Sequence, residues 1–396
     1  MAGKRRGAGE GTVFQIPNGR WRAELDLGMV DGRRRRKTAI RKTQREAQAW
    51  LAQAREAKNT GGLVSRTPTL GEWFECYLTE VAPNRVRAST LSNYRRDFER
   101  HIQPGLGGIR LDALGPEHLI RFYNRKTAEG MSAHHVRYLH AQIRRALKIA
   151  MKWGRVSRNV ALVVEPPEVP DHEVKPLTVA EARRLLDAAK DDRLRARWVL
   201  GLSLGLRQSE VLGLWWEDID LDAATLRVRR QLLRRRNPGD TLTFGPPKSA
   251  RSRRVLSLPA PLVTVLRDHK STQDTERANA ATWADPRLVF ASATGGPIDH
   301  RNDTRAFKAL LVRAGVRCVE VRRPDGTTAL VPNVRLHDLR HTAASLLLAQ
   351  FVPARVVMEV LGHSQISVTM NTYSHVMPAQ LKNAADAMTA ALWDVE

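Results

Sequence analysis

Apolar positions along this chain change rhythm twice. From Gly11 to Leu25 they alternate with polar ones, as Gly11-Thr-Val-Phe-Gln-Ile16 and Trp21-Arg-Ala-Glu-Leu25 on either side of Pro17-Asn18-Gly19. Period-two alternation around a turn tripeptide predicts a β-hairpin. A second turn near Asp31-Gly32 leads into Arg33 to Lys37 and Thr38-Ala-Ile40, a third strand. Thr43 and Glu46 have capping-box spacing, and the helix they open carries Ala47, Trp50, Leu51 and Ala54 on one face.

Beyond Asn59-Thr-Gly-Gly62 and Ser65 to Pro68, a linker, the period becomes helical. Thr69 and Glu72 form another capping box, followed by Leu70, Trp73, Phe74 and Tyr77 at i, i+3, i+4 and i+7. A second helix starts at Ser89 with Leu91, Tyr94 and Phe98 on its stripe, and Arg95, Arg96 and Arg100 are among its polar positions. Pro116 opens a third. The fourth, Ser132 to Trp153, carries His134, His135, Arg137, Arg144, Arg145, Lys148 and Lys152. This predicts a compact four-helix unit with a basic surface, its aromatics serving as core.

Glu165 to Pro176, rich in proline and acid, breaks that pattern and reads as an interdomain linker. After it, Thr178 and Glu181 cap a new helix, Trp198 to Leu206 forms a buried helix, and Arg207-Gln-Ser-Glu210 opens the next. Strands are expected at Leu226 to Leu233, Thr241 to Phe244 and Arg254 to Leu258, with Gly245-Pro-Pro-Lys248-Ser249 at a turn. Val316 to Val331, turning at Pro324-Asp325-Gly326, predicts a further hairpin.

Charge narrows the partners. Lys plus Arg number 65 against 41 Asp plus Glu, a formal net charge of +24 on 396 residues. An apolar fraction of 42% supplies real cores, so this is no disordered basic tail. Nucleic acid is the leading partner, and Arg33 to Lys37 reads as a contact to it, with a solvated turn as the alternative. Anionic membrane is the rival, but no apolar run reaches the ~18 residues of a spanning helix, and the N-terminus has no signal-like core. Two distant cysteines, Cys76 and Cys318, build neither a disulfide framework nor a zinc module, which fits a reducing cytoplasm.

The chemistry is concentrated near the C-terminus, in His337-Asp-Leu-Arg340-His341, Leu361-Gly362-His363-Ser364 and Thr372-Tyr373-Ser374-His375. His337 and Arg340, three apart, project from one helix face about 5–6 Å apart at Cβ. Together they form a site for a phosphate, which a tyrosine can attack. His337 and His341 have the spacing of a zinc pair, but the glutamate of His-Glu-x-x-His is missing. His341 reads as a structural hydrogen-bonding residue. Glu210 orients His337 or Arg207, or only forms an i,i+3 pair. Neither a Walker motif nor a G-x-G-x-x-G loop after a strand is present, and Gly105-Leu-Gly-Gly108 is a turn.

These motifs, with Gly205-Leu206-Arg207-Gln-Ser-Glu210 and Lys248 in a strand turn, resemble the tyrosine recombinases, or phage integrases. The motif-bearing likeness runs from about Thr178 to the end. It implies a multidomain, mainly α fold with small β-sheets. Residues 1–62 would be an arm-type DNA-binding domain of three strands and a helix, and 68–164 a helical core-binding domain. A linker at 165–176 would lead to an α+β catalytic domain over 177–396. The resemblance implies that Tyr373 attacks a DNA phosphate, forming a 3′-phosphotyrosyl link and freeing a 5′-hydroxyl. Arg207 and Arg340 would hold the non-bridging oxygens, His337 would be the base, Lys248 the acid and His363 a phosphate donor. Arg251, Arg253 and Arg254 are alternatives to Lys248 as the cation entering the site.

No cofactor or metal is expected, since Arg forks and a retained phosphotyrosine replace them. The implied partners are double-stranded DNA attachment sites, a homo-tetramer on DNA and an excision-directing accessory protein, in a bacterial cytoplasm. The arm-like domain favours the integrase of a phage or integrative element over a chromosome-dimer resolvase. A type IB topoisomerase-like enzyme and a regulator that has lost catalysis are the rivals. The tail from Pro378 to Glu396 has an apolar helical face, expected either on its own domain or on a neighbouring subunit.

Overall fold

The computed structural model describes residues 11–30, 33–59, 67–170, 175–233, 240–247, 250–322 and 325–362, with isolated positions at 386, 388, 389 and 392. The chain divides into two compact units, Met1–Asp171 and His172–Glu396.

The first unit begins with strands β1 (Thr12–Gln15), β2 (Trp21–Val30) and β3 (Arg33–Arg41), an antiparallel sheet in that order. Ala23 and Leu25 of β2 are fully buried against Ala47, Leu51 and Ala54 of helix α1 (Gln44–Asn59). The arginine run is therefore strand, paired Leu25↔Lys37 and Asp26↔Arg36 with β2, and not a solvated turn. The expected capping box differs in detail. Thr43 Oγ1 accepts from Glu46 N, but the Glu46 carboxylate accepts from Lys42 N, one residue earlier than the pattern requires.

The helical part contains α2 (Leu70–Cys76), α3 (Ala88–Asp97), the single-turn α4 (Gln103–Leu106), α5 (Pro116–Ala128) and α6 (Ala133–Lys152). The Thr69 capping box opens α2 as expected, with Thr69 N donating to Glu72 Oε2 at 2.8 Å and Glu72 N donating to Thr69 Oγ1 at 3.2 Å. Two helices continue through wider turns, where Ala82 N bonds Tyr77 O and Gln103 N bonds Phe98 O. Each i→i+5 turn inserts a residue that period-3.6 reading cannot see. Trp73, Phe74, Tyr77, Tyr94 and Phe98 are all buried, so the aromatics are core. Arg137, Arg144, Arg145, Lys148 and Lys152 of α6 are exposed.

The second unit opens with α7 (Val179–Ala188), capped by Thr178 and Glu181. Next come α8 (Arg195–Leu204) and the single-turn α9 (Gln208–Val211). The strands are β4 (Ile219–Asp220), β5 (Thr225–Val228), β6 (Gln231–Leu232), β7 (Phe244–Gly245) and β8 (Arg254–Ser257). Order β4-β5-β8 makes one antiparallel sheet and β6-β7 another. The single strand expected over Leu226 to Leu233 is therefore two. Arg230 leaves the ladder to lie 3.5 Å over the Trp215 ring and to bond Asp218 at 2.8 Å and Glu217 at 2.7 Å. The strand expected over Thr241 to Phe244 shrinks to Phe244–Gly245 for want of a longer partner.

Helices α10 (Ala260–Asn279) and α11 (His300–Arg313) precede the hairpin of β9 (Cys318–Arg322) and β10 (Thr328–Pro332), paired as expected. Last come α12 (Asp338–Ala349) and α13 (Ala354–Leu361). Trp198, Phe307, Leu310 and Leu339 lock α8, α11 and α12 around one core. Pro324 and the tail from Pro378 onward, apart from four isolated positions, lie outside the described residues.

Candidate active site

The site is built on two helix ends. Helix α8 stops because Gly205 takes a left-handed conformation, φ +59°, where a Cβ would sit 2.6 Å from Leu361 Cδ2. Only glycine accepts both the dihedral and the contact. The reversal frees the Gly205 carbonyl, which accepts from Arg340 Nη1 at 2.9 Å, and it places Arg207 at the N-cap of α9. Helix α13 stops the same way at Gly362, φ +68°, whose carbonyl accepts from Arg207 Nη2 at 3.1 Å.

Arg207 Nη1 also donates to Glu210 Oε1 at 2.7 Å and to Ser252 Oγ at 3.3 Å, and its backbone N to Glu210 Oε2 at 3.1 Å. The side chain remains 31% exposed, so a ligand can reach its fork. Glu210 is 1% exposed. Burial alone would raise its carboxyl pKa, but the charges of Arg254 and Arg207 and their hydrogen bonds outweigh burial and hold it below the ordinary value. Glu210 therefore pairs with Arg207 at i,i+3 and holds its guanidinium.

His337 and Arg340 stand at the start of α12, His337 as its N-cap residue. Arg340 is 2% exposed. Burial lowers the His337 pKa first, then the charge of Arg340, with Asp338 opposing. A neutral imidazole at neutral pH follows, which is the form a proton acceptor needs. His341 packs edge-on against it, ring centroids 5.0 Å apart, and burial pushes its pKa down to about 4. Arg207, His337, Gln208, Arg335 and Lys308 line one cavity of about 550 Å³.

Behind Arg207 lies a buried polar frame. Arg197 Nε and Nη2 donate to Asp303 Oδ1 and Oδ2 at 2.9 and 3.0 Å, with side-chain exposures of 2% and 0%. Gln208 Nε2 donates to His300 O at 2.9 Å and to Asp303 Oδ2 at 3.0 Å, and Ser209 Oγ meets His300 Nε2 at 3.0 Å. The two residues after Arg207 are thereby pinned to α11. Leu177 N donates to Thr342 Oγ1 at 2.9 Å, tying the start of the unit to α12.

Of the expected site residues, the structure brings together Arg207, His337 and Arg340. Lys248, His363 and Tyr373 lie outside the described residues. Sequence reasoning missed Arg254 as a structural partner. Its side chain, 8% exposed, donates to Glu210 Oε2 at 3.2 Å, Val360 O at 2.7 Å and Ser252 O at 3.0 Å. The signal was its place at the start of a strand, where a charge next to an apolar run is unusual. Among the described residues, Asp97, His101 and His135 bring metal-type donor atoms within 4.8 Å of one another. Arg96 lies 3.8 Å from the Asp97 carboxylate, and burial and Lys126 lower the His101 pKa, so the neighbourhood is already cationic.

Arg207 and His337 thus face a cavity also lined by Arg335 and Lys308, with Arg340 buried next to His337, a cationic setting suited to a phosphate. Residues 175–380 match the model of the phage integrase family, and residues 69–127 that of the phage integrase N-terminal SAM-like domain. An integrase of Saccharopolyspora erythraea is 29% identical over 440 residues, covering 97% of each chain. The Tn1549 transposon integrase in complex with transposon right end DNA superposes with TM-score 0.66 at 20% identity, over 82% of this chain and 99% of that one. A lambda integrase from a tetramer bound to a Holliday junction superposes with TM-score 0.54 at 18% identity, over 90% and 96%. The chain belongs to the phage integrase family, the tyrosine recombinases.

Proposed function

We propose that the chain is a site-specific DNA integrase that cleaves and rejoins strands through Tyr373. The observation that carries this reading is that Arg207 and His337 line one cavity, with Arg340 buried behind them, held by the Gly205 carbonyl and close enough to His337 to lower its pKa. Tyr373 Oη attacks the phosphorus as its proton passes to His337. The P–O5′ bond breaks, and Lys248 protonates the leaving oxygen. The 3′-phosphotyrosyl link keeps the energy of the phosphodiester, so a 5′-hydroxyl of another strand reverses the step without ATP. Arg207 and Arg340 hold the non-bridging oxygens, whose charge grows as the fifth bond forms, and His363 adds a hydrogen bond. Loss of one such donor costs about 3–4 kcal/mol of transition-state stabilisation.

The basic strands and helices of residues 1–62 and 68–164 support their reading as DNA-binding domains of arm and core type, with 177–396 catalytic. Two duplexes exchanging strands need four active sites, so the working form is a tetramer on DNA, and excision takes a further accessory protein. Among the described residues no helix is long and apolar enough to cross a membrane. The substrate is the DNA of a phage or integrative element in a bacterial cytoplasm.

A nicked suicide substrate made from the DNA flanking the gene tests the reading. Wild-type protein should become covalently attached, while Tyr373→Phe should bind the same DNA and form no adduct. An undiminished adduct would remove Tyr373 from its role.

A further inference from the structure

We propose that Arg254 is a positioning residue for Arg207, acting through Glu210; this deepens the reading above and rests on it. Glu210 is buried between two guanidinium groups, Arg207 at 2.7 Å and Arg254 at 3.2 Å. With both present, the cluster carries one net positive charge for a phosphate to meet. Without Arg254 the carboxylate would neutralise Arg207 alone and draw its fork inward, away from the cavity.

The second part of the argument is geometric. The planar fork of Arg254 holds three acceptors, Glu210 of α9, Ser252 O just before β8, and Val360 O in the last turn of α13. Arg207 touches the same three segments, through Glu210, Ser252 Oγ and Gly362 O. Arg254 thus fixes from behind the groups that Arg207 grips from the cavity side. Those segments are the ones from which the chain departs to Lys248 on one side and His363 on the other. A Cβ on Gly362 would lie 3.0 Å from Arg254 Nη1, which shows how closely the two are seated. An ammonium group offers no planar fork and cannot reach all three acceptors at once.

The test uses the full-length chain and the suicide substrate, with adduct rate at saturating DNA measured separately from half-saturating DNA concentration. Arg254→Gln should slow adduct formation about 10–100-fold, the cost of a sub-ångström to ångström misplacement, and shift half-saturation by less than ~2-fold. Because Arg254 and Glu210 hold the same group, the double variant Glu210→Gln/Arg254→Gln should be slowed by much less than the product of the two single effects. Multiplying effects would overturn the proposal, as would an Arg254→Gln rate equal to wild type. If Arg254→Gln does not fold, Arg254→Lys decides: a rate at least ~10-fold below wild type supports the proposal, and an undiminished rate overturns it. Absence of any adduct with wild-type protein would overturn the functional reading itself, and this inference with it. A Tyr373-dependent adduct that is indifferent to Arg254 removes the inference alone.

Discussion

His337 is lowered below the ordinary imidazole range by burial and by Arg340, so it is neutral at pH 7. The adduct rate should therefore be flat from about pH 7 to 8 and fall only below about 6.5, where free imidazole begins to protonate. A rate already falling between pH 8 and 7 would assign the base to another group. His341 gives a stability signature instead. Folded, its pKa is about 4; unfolded, it returns to about 6.5. Between those values the unfolded chain holds the extra proton, so stability is lost as pH drops from about 6.5 towards about 4. Thermal unfolding from pH 7 to 4.5 should show a shallower loss for His341→Asn than for wild type. Parallel curves would mean the shift is absent.

At the scale of elements, the frame behind Arg207 depends on the Arg197–Asp303 pair between α8 and α11. Asp303→Ala leaves a buried guanidinium without its carboxylate, which should cost about 3–5 kcal/mol of stability in urea titrations. It should also slow adduct formation, because Gln208 loses an acceptor. A loss under about 1 kcal/mol would show that water replaces the carboxylate.

These elements also show what the sequence could and could not reveal. Helix starts were legible at Thr69 and Thr178 because a capping box is a local device, complete within four residues. Arg207, His337 and Arg340 were legible as chemistry because their neighbours repeat a family pattern. The break at Arg230 was not legible, since it depends on Trp215, Asp218 and Glu217 meeting it in space. The wide turns at Tyr77 and Phe98 were hidden for the opposite reason: the aromatic stripe stays buried through the inserted residue. Arg254 was legible only as an alternative to Lys248 in the site, because its bonds to Glu210 and Val360 join segments far apart in the chain.

For the whole molecule, the net charge of +24 sets how the protein meets DNA. Affinity should fall with salt along a log–log slope near −0.9 per neutralised phosphate. Titrating binding between roughly 50 and 200 mM salt measures that slope, and a flat response would place the interface elsewhere than on the basic strands and helices. Cleavage itself should persist in EDTA, since the proposed chemistry is carried by arginines, a histidine, a lysine and a tyrosine.

The bond from Arg207 to the Gly362 carbonyl spans 155 residues, and that from Leu177 to Thr342 spans 165. Contacts so far apart along the chain are slow to close and close last. They also impose an order on synthesis. A ribosome making this protein has released the basic surfaces of residues 1–62 and 68–164 long before residue 362 emerges. A nascent chain can thus settle on DNA while its arginine still lacks a seat. The seat of that arginine cannot close before residue 362 has been made.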